Sequence, residues 1–351
     1  MQSTSNLPSG KAPISGILKN LAKFALFLGL GVLLIWLALK DISEENRHLV
    51  IDSFKAANYW LVIPAFIIGF FSHFVRATRW KLIMHSLGYN PSTWNTFFAV
   101  MIGYLTNLAV PRLGEVARCG VLARYEKLPA DKLVGTMIAE RAVDLLCLGL
   151  LFVITILSQL GLVSDFLQDE ILGPLKDKVM AMSALKLSLV FIGLLIFILI
   201  ILFLLRKFSH SKTAIKLKEL IRGVWDGILS ITTMERKGMF VFQSLLIWFL
   251  YFAMMYVGFY TMGETSHLGV KAAMSLLAFG SIGMIVTPGG IGAYPLLIEK
   301  TLSIYKVAQV PAFAFGWIIW GAQTILILIL GLLSFALLPI YNRKRVNSNS
   351  L

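Results

Sequence analysis

The stretch "TNLAVPRLGEVAR", Thr106 to Arg118, interrupts an apolar run with a proline, a glycine and three charged side chains. A helix running straight through it is unfavourable, because proline lacks a backbone N–H and clashes with the preceding turn. Broken backbone is tolerated at membrane depth only where protein or a wet cavity surrounds it. Whether this stretch crosses a membrane or turns back inside it therefore decides the topology of the chain.

Composition places the chain in a lipid bilayer. Of its 351 residues, 58% are hydrophobic and 14% are charged, whereas soluble domains carry about 25% charged residues. Six apolar segments approach the ~20 residues that cross the hydrocarbon. They are Leu21 to Leu39, Trp60 to Val75, Val134 to Leu157, Leu187 to Leu205, Phe240 to Tyr260 and Phe313 to Leu338. The first is expected to be a retained anchor, since it is too long for a signal-peptide core and lacks a small-residue cleavage site.

Several function classes lack support in the sequence. The net charge of +14 could suggest nucleic acid, but the basic residues lie between apolar spans, as in cytoplasmic loops of membrane proteins. The sequence contains neither a P-loop nor a dinucleotide-binding motif, so it gives no support for an ATP-driven pump or a dinucleotide enzyme. Cys119 and Cys147 have no CxxC spacing and the five histidines are scattered, so we expect neither a metal site nor a cofactor.

Two interrupted regions, Trp94 to Ala123 and Lys271 to Tyr305, decide the topology. If the first crossed completely, the basic residues that follow it would lie outside, against the positive-inside rule. The rule is satisfied when each region dips into the membrane and returns. The sequence thus predicts two re-entrant helical hairpins, at about 92–125 from the inside and about 271–305 from the outside. Both termini are then cytoplasmic.

This solution is an inverted repeat, in which each half has two crossings, one hairpin and one further crossing. The predicted fold is an all-α polytopic membrane protein of the cell (inner) membrane, with six full spans and two re-entrant hairpins. Its segments are a cytoplasmic tail 1–20, a first repeat 21–157, an extracytoplasmic loop 158–184, a second repeat 185–338 and a cytoplasmic tail 339–351. The stretch from Lys40 to Lys55 is expected to be an outer loop, and 212–232 an amphipathic helix on the inner surface.

The predicted hairpin tips carry proline and glycine. They are Pro111 and Gly114 in the first hairpin, and Pro288, Gly289, Gly290 and Gly292 in the second. Interrupted segments at matching places in two inverted halves indicate the binding site of a transporter.

Charged residues inside a bilayer are costly, so they indicate an ion-pair partner or an aqueous path. Three groups fall inside or beside the predicted spans, and with one neighbouring amide they are the candidates for binding a lipid headgroup. The candidates are Arg76, Arg79, Asn107, Arg112, Glu115, Arg118, Glu140, Arg141 and Asp144. Glu299 and Gln323 are weaker candidates.

Two interpretations of these groups stay open. Arg112 and Arg118 could neutralise Glu140 and Asp144 and only pin the first hairpin to the third span. Alternatively the arginines hold a phosphate, whose oxygens match a guanidinium bidentately, while the carboxylates orient the arginines or contact a cationic group on the lipid. For the pair in "FVRATRW", Arg76 and Arg79, ordinary snorkelling to the headgroups is the simpler interpretation.

Four ordered motifs carry a resemblance that covers nearly the whole chain. "RATRW" (Arg76 to Trp80), "NLAVPRLGEVAR" (Asn107 to Arg118), "ERAVDLL" (Glu140 to Leu146) and "TPGGIGAYP" (Thr287 to Pro295) resemble the transmembrane region of the lysylphosphatidylglycerol synthase family, also called flippase-like or UPF0104 proteins. In the synthases this region resembles a translocator of the aminoacylated lipid, and stand-alone members are tied to glycan assembly on polyprenyl phosphate. The separate aminoacyltransferase domain of the synthases is expected to be absent, since the sequence ends just past the last span.

The leading hypothesis is a lipid translocator for a phospholipid or a polyprenyl-phosphate-linked headgroup. The first alternative is a membrane-embedded transferase with a lipid-linked donor, in which Glu140 or Asp144 acts as general base. The second is an accessory subunit without a substrate. Membrane lipid is the expected partner, nucleic acid is not, and a homo-oligomer or a separate transferase partner is left open.

Overall fold

The computed structural model describes residues 44–110, 113–159 and 234–348. Within these ranges the chain forms nine α-helices and no strand. The helices are α1 (Glu44–Ala56), α2 (Val62–Ser86), α3 (Thr93–Ala109), α4 (Leu113–Glu126), α5 (Ala130–Ser158), α6 (Lys237–Gly258), α7 (Val270–Val286), α8 (Ala293–Ile304) and α9 (Gln309–Ser348). Short 3-10 segments lie at Tyr59–Leu61, Phe259–Thr261 and Pro288–Gly290.

Four of the six predicted spans coincide with helices α2, α5, α6 and α9. With their flanking turns, these helices are long and apolar enough to cross a membrane. Large apolar side chains such as Phe249 and Phe335 are exposed on their outer faces, as contact with lipid requires. The predicted spans Leu21 to Leu39 and Leu187 to Leu205, the amphipathic helix 212–232, the tail 1–20 and most of the loop 158–184 lie outside the described residues. The predicted tail 339–351 is described as far as Ser348, where it forms the end of α9.

Within the predicted outer loop from Lys40 to Lys55, residues from Glu44 onward form α1, a helix that the sequence analysis did not identify. Val50 and Phe54, one helical turn apart, pack against Phe313 of α9. The apolar pair was hidden among charged residues, and burying it against α9 stabilises a helix where charge alone suggested a loop.

Helices α3 and α4 form an antiparallel hairpin at the position predicted for the first re-entrant segment. Near its tip the backbones touch, since a Cβ added to Gly114 would collide with the carbonyl oxygen of Gly103. The side-chain oxygen Oδ1 of Asn107 accepts a hydrogen bond from the Gly114 N–H at 2.7 Å, which satisfies one of the free donors at the start of α4. With 17 and 14 residues, the helices are about 25 and 21 Å long, shorter than the ~30 Å hydrocarbon core.

Helices α7 and α8 form the second antiparallel hairpin, again at the predicted position. Its turn needs glycine, because Gly289, Gly290 and Gly292 have φ of 58°, 74° and 74°, a region that side chains with a Cβ rarely adopt. The Trp320 indole N–H on α9 donates to the Gly289 carbonyl at 2.7 Å. The turn is thus fixed both by its own backbone and by α9.

The two hairpins meet tip to tip along α9. Toward the start of α9, Trp317 packs near Leu296 of the second hairpin, and Trp320 reaches that hairpin's turn. Farther along, Gly331 packs on Leu105 of the first hairpin. Leu108, at the tip of the first hairpin, lies against Gly289 in the turn of the second. The hairpins therefore approach one another from opposite ends of a single long helix.

A polar clasp holds the open end of each hairpin to a long helix of the other half of the chain. In the first clasp, the Asn95 amide on α3 donates to Asn342 at 2.9 Å, and Arg345 lies 2.7 Å from Glu126. In the second clasp, Gln159 at the end of α5 donates to Ser275 on α7 at 3.1 Å and also contacts the Tyr305 hydroxyl at the end of α8. Each hairpin is thus anchored at its base as well as at its tip.

Replacing Tyr305 with phenylalanine should lower the free energy of unfolding by about 1 kcal/mol, because a net hydrogen bond contributes about 0.5–1.5 kcal/mol. The hydroxyl contacts both Gln159 and Ser275. The matched control is Tyr260→Phe, whose exposed hydroxyl makes one long contact of 3.4 Å to Tyr256. Thermal unfolding of the detergent-solubilised protein measures both, and an equal Tm for the two variants would contradict the second clasp.

Candidate functional site

Helix α5 presents Glu140, Arg141 and Asp144 near its middle. The helix begins at Ala130, so Glu140 and Asp144 lie about 15 and 21 Å along an axis of about 44 Å. Both acids are one turn apart on the same face. A charged face halfway along a membrane helix needs partners from its neighbours, and α2 and α4 supply them.

Helix α2 supplies Arg76 and Arg79, spaced to match the two acids. The Arg76 guanidinium donates to Glu140 at 2.8 Å and to Asp144 at 2.6 Å. Arg79 donates to the other Asp144 oxygen at 2.7 Å. Their interpretation as snorkelling side chains is wrong, because Arg76 is 4% exposed and Arg79 is fully buried. A buried guanidinium this deep is stabilised by carboxylates rather than by headgroups or water.

Helix α4 supplies Glu115 and Arg118. Arg118 Nη1 lies 3.2 Å from Glu140, and its Nε lies 3.1 Å from Glu115, as the i, i+3 spacing predicted. The guanidinium also stacks over the Trp80 ring, 4.5 Å from its centroid, an arrangement that stabilises a buried cation. Glu115 in turn lies 2.8 Å from Arg141. The structure thus brings Arg118 next to Glu140, a proximity that both interpretations of the sequence expected.

Together these residues make one charged cluster: Arg76, Arg79, Glu115, Arg118, Glu140, Arg141 and Asp144. Among the described residues it contains four arginines and three carboxylates, a formal charge of +1. Isolated charges cost several kcal/mol in a low-dielectric interior, so the cluster is stable only as a network. The surplus positive charge makes it suited to an anion.

A cavity of about 500 Å³ opens beside the cluster. Its polar end is formed by Arg76, Arg141 and Asp144. The Tyr251 hydroxyl accepts a hydrogen bond from Arg76 there at 3.1 Å. The remaining wall is mainly apolar and comes from α5, α6, α7 and α9. Leu145 and Ile285 line the cavity and are 59% and 63% exposed. The cavity therefore extends to the apolar outer surface of the helices.

The cluster divides into two layers around this cavity. Arg76, Arg141 and Asp144 line it. The residues Arg79, Arg118 and Glu140 do not, and all three are almost fully buried among helices. The buried layer holds the lining layer in place, because Glu140 binds Arg76 directly and Arg79 binds Asp144. A ligand in the cavity would meet two arginines and one carboxylate.

The other predicted site residues are distributed unevenly. Pro111 and Arg112 lie outside the described residues, so their predicted pairing stays a prediction. Asn107 caps α4 through Gly114 and does not line the cavity. Of the two weaker candidates, Gln323 lines the cavity, whereas Glu299 does not and lies near Gln309 and Lys300.

Sequence reasoning missed six polar or aromatic residues of the cavity wall. They are His73, Tyr104, Trp248, Tyr251, Ser281 and Tyr294. His73 precedes Arg76 by one helical turn, so it could have been found by extending the arginine face along α2. Trp248 and Tyr251 had no comparable signal, since aromatic residues are common at any position of an apolar span.

The fold and the cluster define a polytopic helical membrane protein with a charged cavity that reaches its apolar surface. The chain belongs to the family described as the lysylphosphatidylglycerol synthase TM region, which it matches over residues 20–331. It is also similar to the UPF0104 membrane protein MJ1595 of Methanocaldococcus jannaschii, with 33% identity over 86 residues. That match covers 24% of this chain and 26% of the relative. No solved structure matches the chain.

Proposed function

We propose that the chain is a lipid translocator that admits an anionic headgroup to the polar end of the cavity. One observation carries the proposal: a cavity of about 500 Å³ with arginines at its inner end reaches the apolar surface at Leu145 and Ile285. A headgroup could enter there while its acyl or prenyl chains stay in the bilayer. Membership of the lysylphosphatidylglycerol synthase TM family supports a lipid-related role.

The charges at the cavity's end suit a phosphate. Arg76 and Arg141 both line it, and a guanidinium binds phosphate oxygens through two parallel N–H donors. Asp144 contacts both arginines, at 2.6 Å and 3.7 Å, and would orient them rather than bind the anion. Arg141 is the more accessible of the two, with 38% of its side chain exposed. It is our candidate for the first contact with the headgroup.

The opposed hairpins suggest how the headgroup would cross. We regard α3–α4 and α7–α8 as re-entrant hairpins of an inverted repeat, entering from the inner and the outer side respectively. Their tips meet where Leu108 contacts Gly289, and a cavity beside meeting tips can be reached from either side by small movements of one hairpin. With basic loops inside, this arrangement gives a cell (inner) membrane protein with both termini cytoplasmic.

The transferase alternative has less support from the geometry. Its general base would be Glu140 or Asp144, but Glu140 does not line the cavity and Asp144 contacts three arginines. A base must be within hydrogen-bond reach of the proton it takes and free to accept it. Neither carboxylate meets both conditions, so we favour translocation.

Replacing Arg141 with glutamine should slow transbilayer movement of an anionic phospholipid by about tenfold to a hundredfold, since a hydrogen bond to a charged group contributes about 1.5–3 kcal/mol. The measurement is dithionite quenching of fluorescent lipids in vesicles that contain the purified protein. The panel includes phosphatidylglycerol and a polyprenyl phosphate, because either could be the substrate.

The matched control is Arg124→Gln, the same change on the exposed surface of α4, which should leave the rate unchanged. Both variants should keep the wild-type Tm within a few degrees. If the wild-type protein accelerates no lipid of the panel, the translocator is refuted. If Arg141→Gln lowers Tm and leaves the rate of the folded fraction unchanged, the cluster has only a structural role.

A further inference from the structure

A second part of the cavity wall is polar, although apolar helices form it. Gln323 of α9 and Tyr294 of α8 line it, and the glutamine amide donates to the tyrosine hydroxyl at 3.3 Å. Ser281 of α7 lines it as well. Its hydroxyl donates to the Leu277 carbonyl at 2.7 Å, and its oxygen can still accept a hydrogen bond from a ligand. Polar side chains in a membrane interior are costly and indicate function by default. This uncharged group of three needs an explanation besides packing.

The three residues lie well away from the phosphate end. Leu326, one turn beyond Gln323 on α9, packs on Gly69 of α2. Gly69 precedes Arg76 by seven residues, which is about 10 Å along the helix. The uncharged group therefore lies too far from Arg76 to contact the same phosphate, and a ligand that touches both must extend beyond its phosphate.

His73 lies between the two ends, one turn from Arg76 on the same face of α2. It is 9% exposed and lines the cavity. Its Nδ1 has no hydrogen-bond partner among the described residues, whereas most buried polar atoms in proteins are paired. A neutral imidazole has one donor and one acceptor nitrogen, so the edge of this ring that lines the cavity can hydrogen-bond a ligand hydroxyl. The wall thus offers polar contacts in sequence from Arg76 through His73 to Gln323.

The same wall disfavours a cationic extension. Among the described residues that line the cavity, Asp144 is the one carboxylate, and it already contacts Arg76, Arg79 and Arg141. An ammonium group reaching toward Gln323 would find no counterion and would pass two arginines on the way. Desolvating an unpaired charge there would cost several kcal/mol.

We infer that the cavity selects a phosphate that carries a neutral, hydroxyl-rich group, with Gln323, Tyr294, Ser281 and His73 as the subsite for its hydroxyls. The inference rests on the proposed function and names its substrate class. Two lipids share this chemistry: phosphatidylglycerol, and a polyprenyl-phosphate-linked hexose. A bare phosphate would leave the subsite empty, and an aminoalkyl group such as that of phosphatidylethanolamine would bring the disfavoured charge.

Lipid binding tests the inference separately from transport. Native mass spectrometry of the purified protein would measure competition within two pairs, phosphatidylglycerol against phosphatidic acid, and the polyprenyl-phosphate hexose against polyprenyl phosphate. We expect the hydroxyl-bearing member of at least one pair to be retained about three- to tenfold more, which corresponds to one or two net hydrogen bonds. The pair with the larger ratio identifies the source. Phosphatidylethanolamine should be retained least.

Two variants assign the selectivity to residues. Gln323→Leu and Tyr294→Phe should each bring the preferred ratio close to one while leaving binding of the bare phosphate lipid unchanged. The second variant removes a single oxygen, so it remains informative if the first does not fold. Gln243→Leu is the matched control, because Gln243 belongs to α6 but does not line the cavity.

Equal retention within both pairs by the wild-type protein would overturn the inference, as would retention of phosphatidylethanolamine at the level of the hydroxyl-bearing lipids. Ratios that both variants leave unchanged would also overturn it. Selective binding by a protein that moves no lipid between leaflets would instead refute the proposed function and leave the subsite standing.

Discussion

Replacing Glu140 with glutamine should lower the free energy of unfolding by about 3–5 kcal/mol, the range for removing one partner of a buried ion pair. Glu140 is fully buried and has oxygens within 3.5 Å of Arg76, Arg79 and Arg118. Glutamine keeps nearly the same shape, so the loss comes from charge. The cluster would hold four arginines against two carboxylates, an excess that the helices can relieve only by separating or by admitting water.

Thermal unfolding of the detergent-solubilised protein, followed by size-exclusion chromatography, measures the effect. The control is Glu264→Gln, an exposed carboxylate outside the helices, which should leave Tm unchanged. Adding Arg118→Met to Glu140→Gln should restore part of the loss, because it removes one of the unpaired cations. A double variant less stable than Glu140→Gln alone would mean that packing of Arg118 on Trp80 outweighs its charge.

Replacing Gly114 with alanine should destabilise the first hairpin by about 1–3 kcal/mol, as overpacking does in close-packed interiors. The added methyl would collide with the Gly103 carbonyl oxygen and lie 2.5 Å from Asn107 Cγ. The Gly103 oxygen is a backbone atom, so it cannot avoid the methyl group by a change of rotamer. α3 and α4 would therefore separate at the tip, where Asn107 also holds the Gly114 N–H.

Gly120→Ala provides a control on the same helix. A Cβ at Gly120 would meet nothing within 4 Å, and alanine is favoured over glycine inside a helix by about 1 kcal/mol. We expect Gly114→Ala to lower Tm and Gly120→Ala to leave it unchanged or raise it. Equal changes would contradict the close approach at the tip. The lipid translocation rate of Gly114→Ala should fall as well, because separating α3 from α4 would displace Tyr104 of α3, which lines the cavity.

The positions of the helices could be predicted from sequence because membrane constraints act locally. Apolar length, proline and glycine breaks, and the distribution of lysine and arginine identified α2, α5, α6 and α9 and both hairpins. The helix α1 was not identified, because its few apolar residues do not form a recognisable helical pattern in the sequence. Their packing against α9 is visible only in the structure. Local sequence patterns therefore predict where a helix lies along the chain better than they predict which helices pack against it.

The sequence identified the residues of the charged cluster but not which of them form ion pairs with one another. The i, i+4 acids Glu140 and Asp144 were recognised as needing partners, and Arg118 was named among the possible partners without being assigned to either acid. The partners of Asp144 are Arg76 and Arg79, from a helix more than 60 residues earlier. An arginine near the end of a span has the same local pattern whether it reaches headgroups or a buried acid, so only the packing of α2 against α5 distinguishes the two.

The two clasps have a consequence for biosynthesis. Asn95 and Asn342 are 247 positions apart, and Gln159 and Ser275 are 116 apart. A ribosome must therefore synthesise the chain through Asn342 before the base of α3 can form its clasp, and through Ser275 before the end of α5 can form the other. Until then Asn95 and Glu126 of the first hairpin lack the partners that they have in the folded protein. An insertase or a chaperone would have its greatest effect on folding at this stage. Each clasp joins residues from both halves of the chain, so neither half expressed alone could form either clasp.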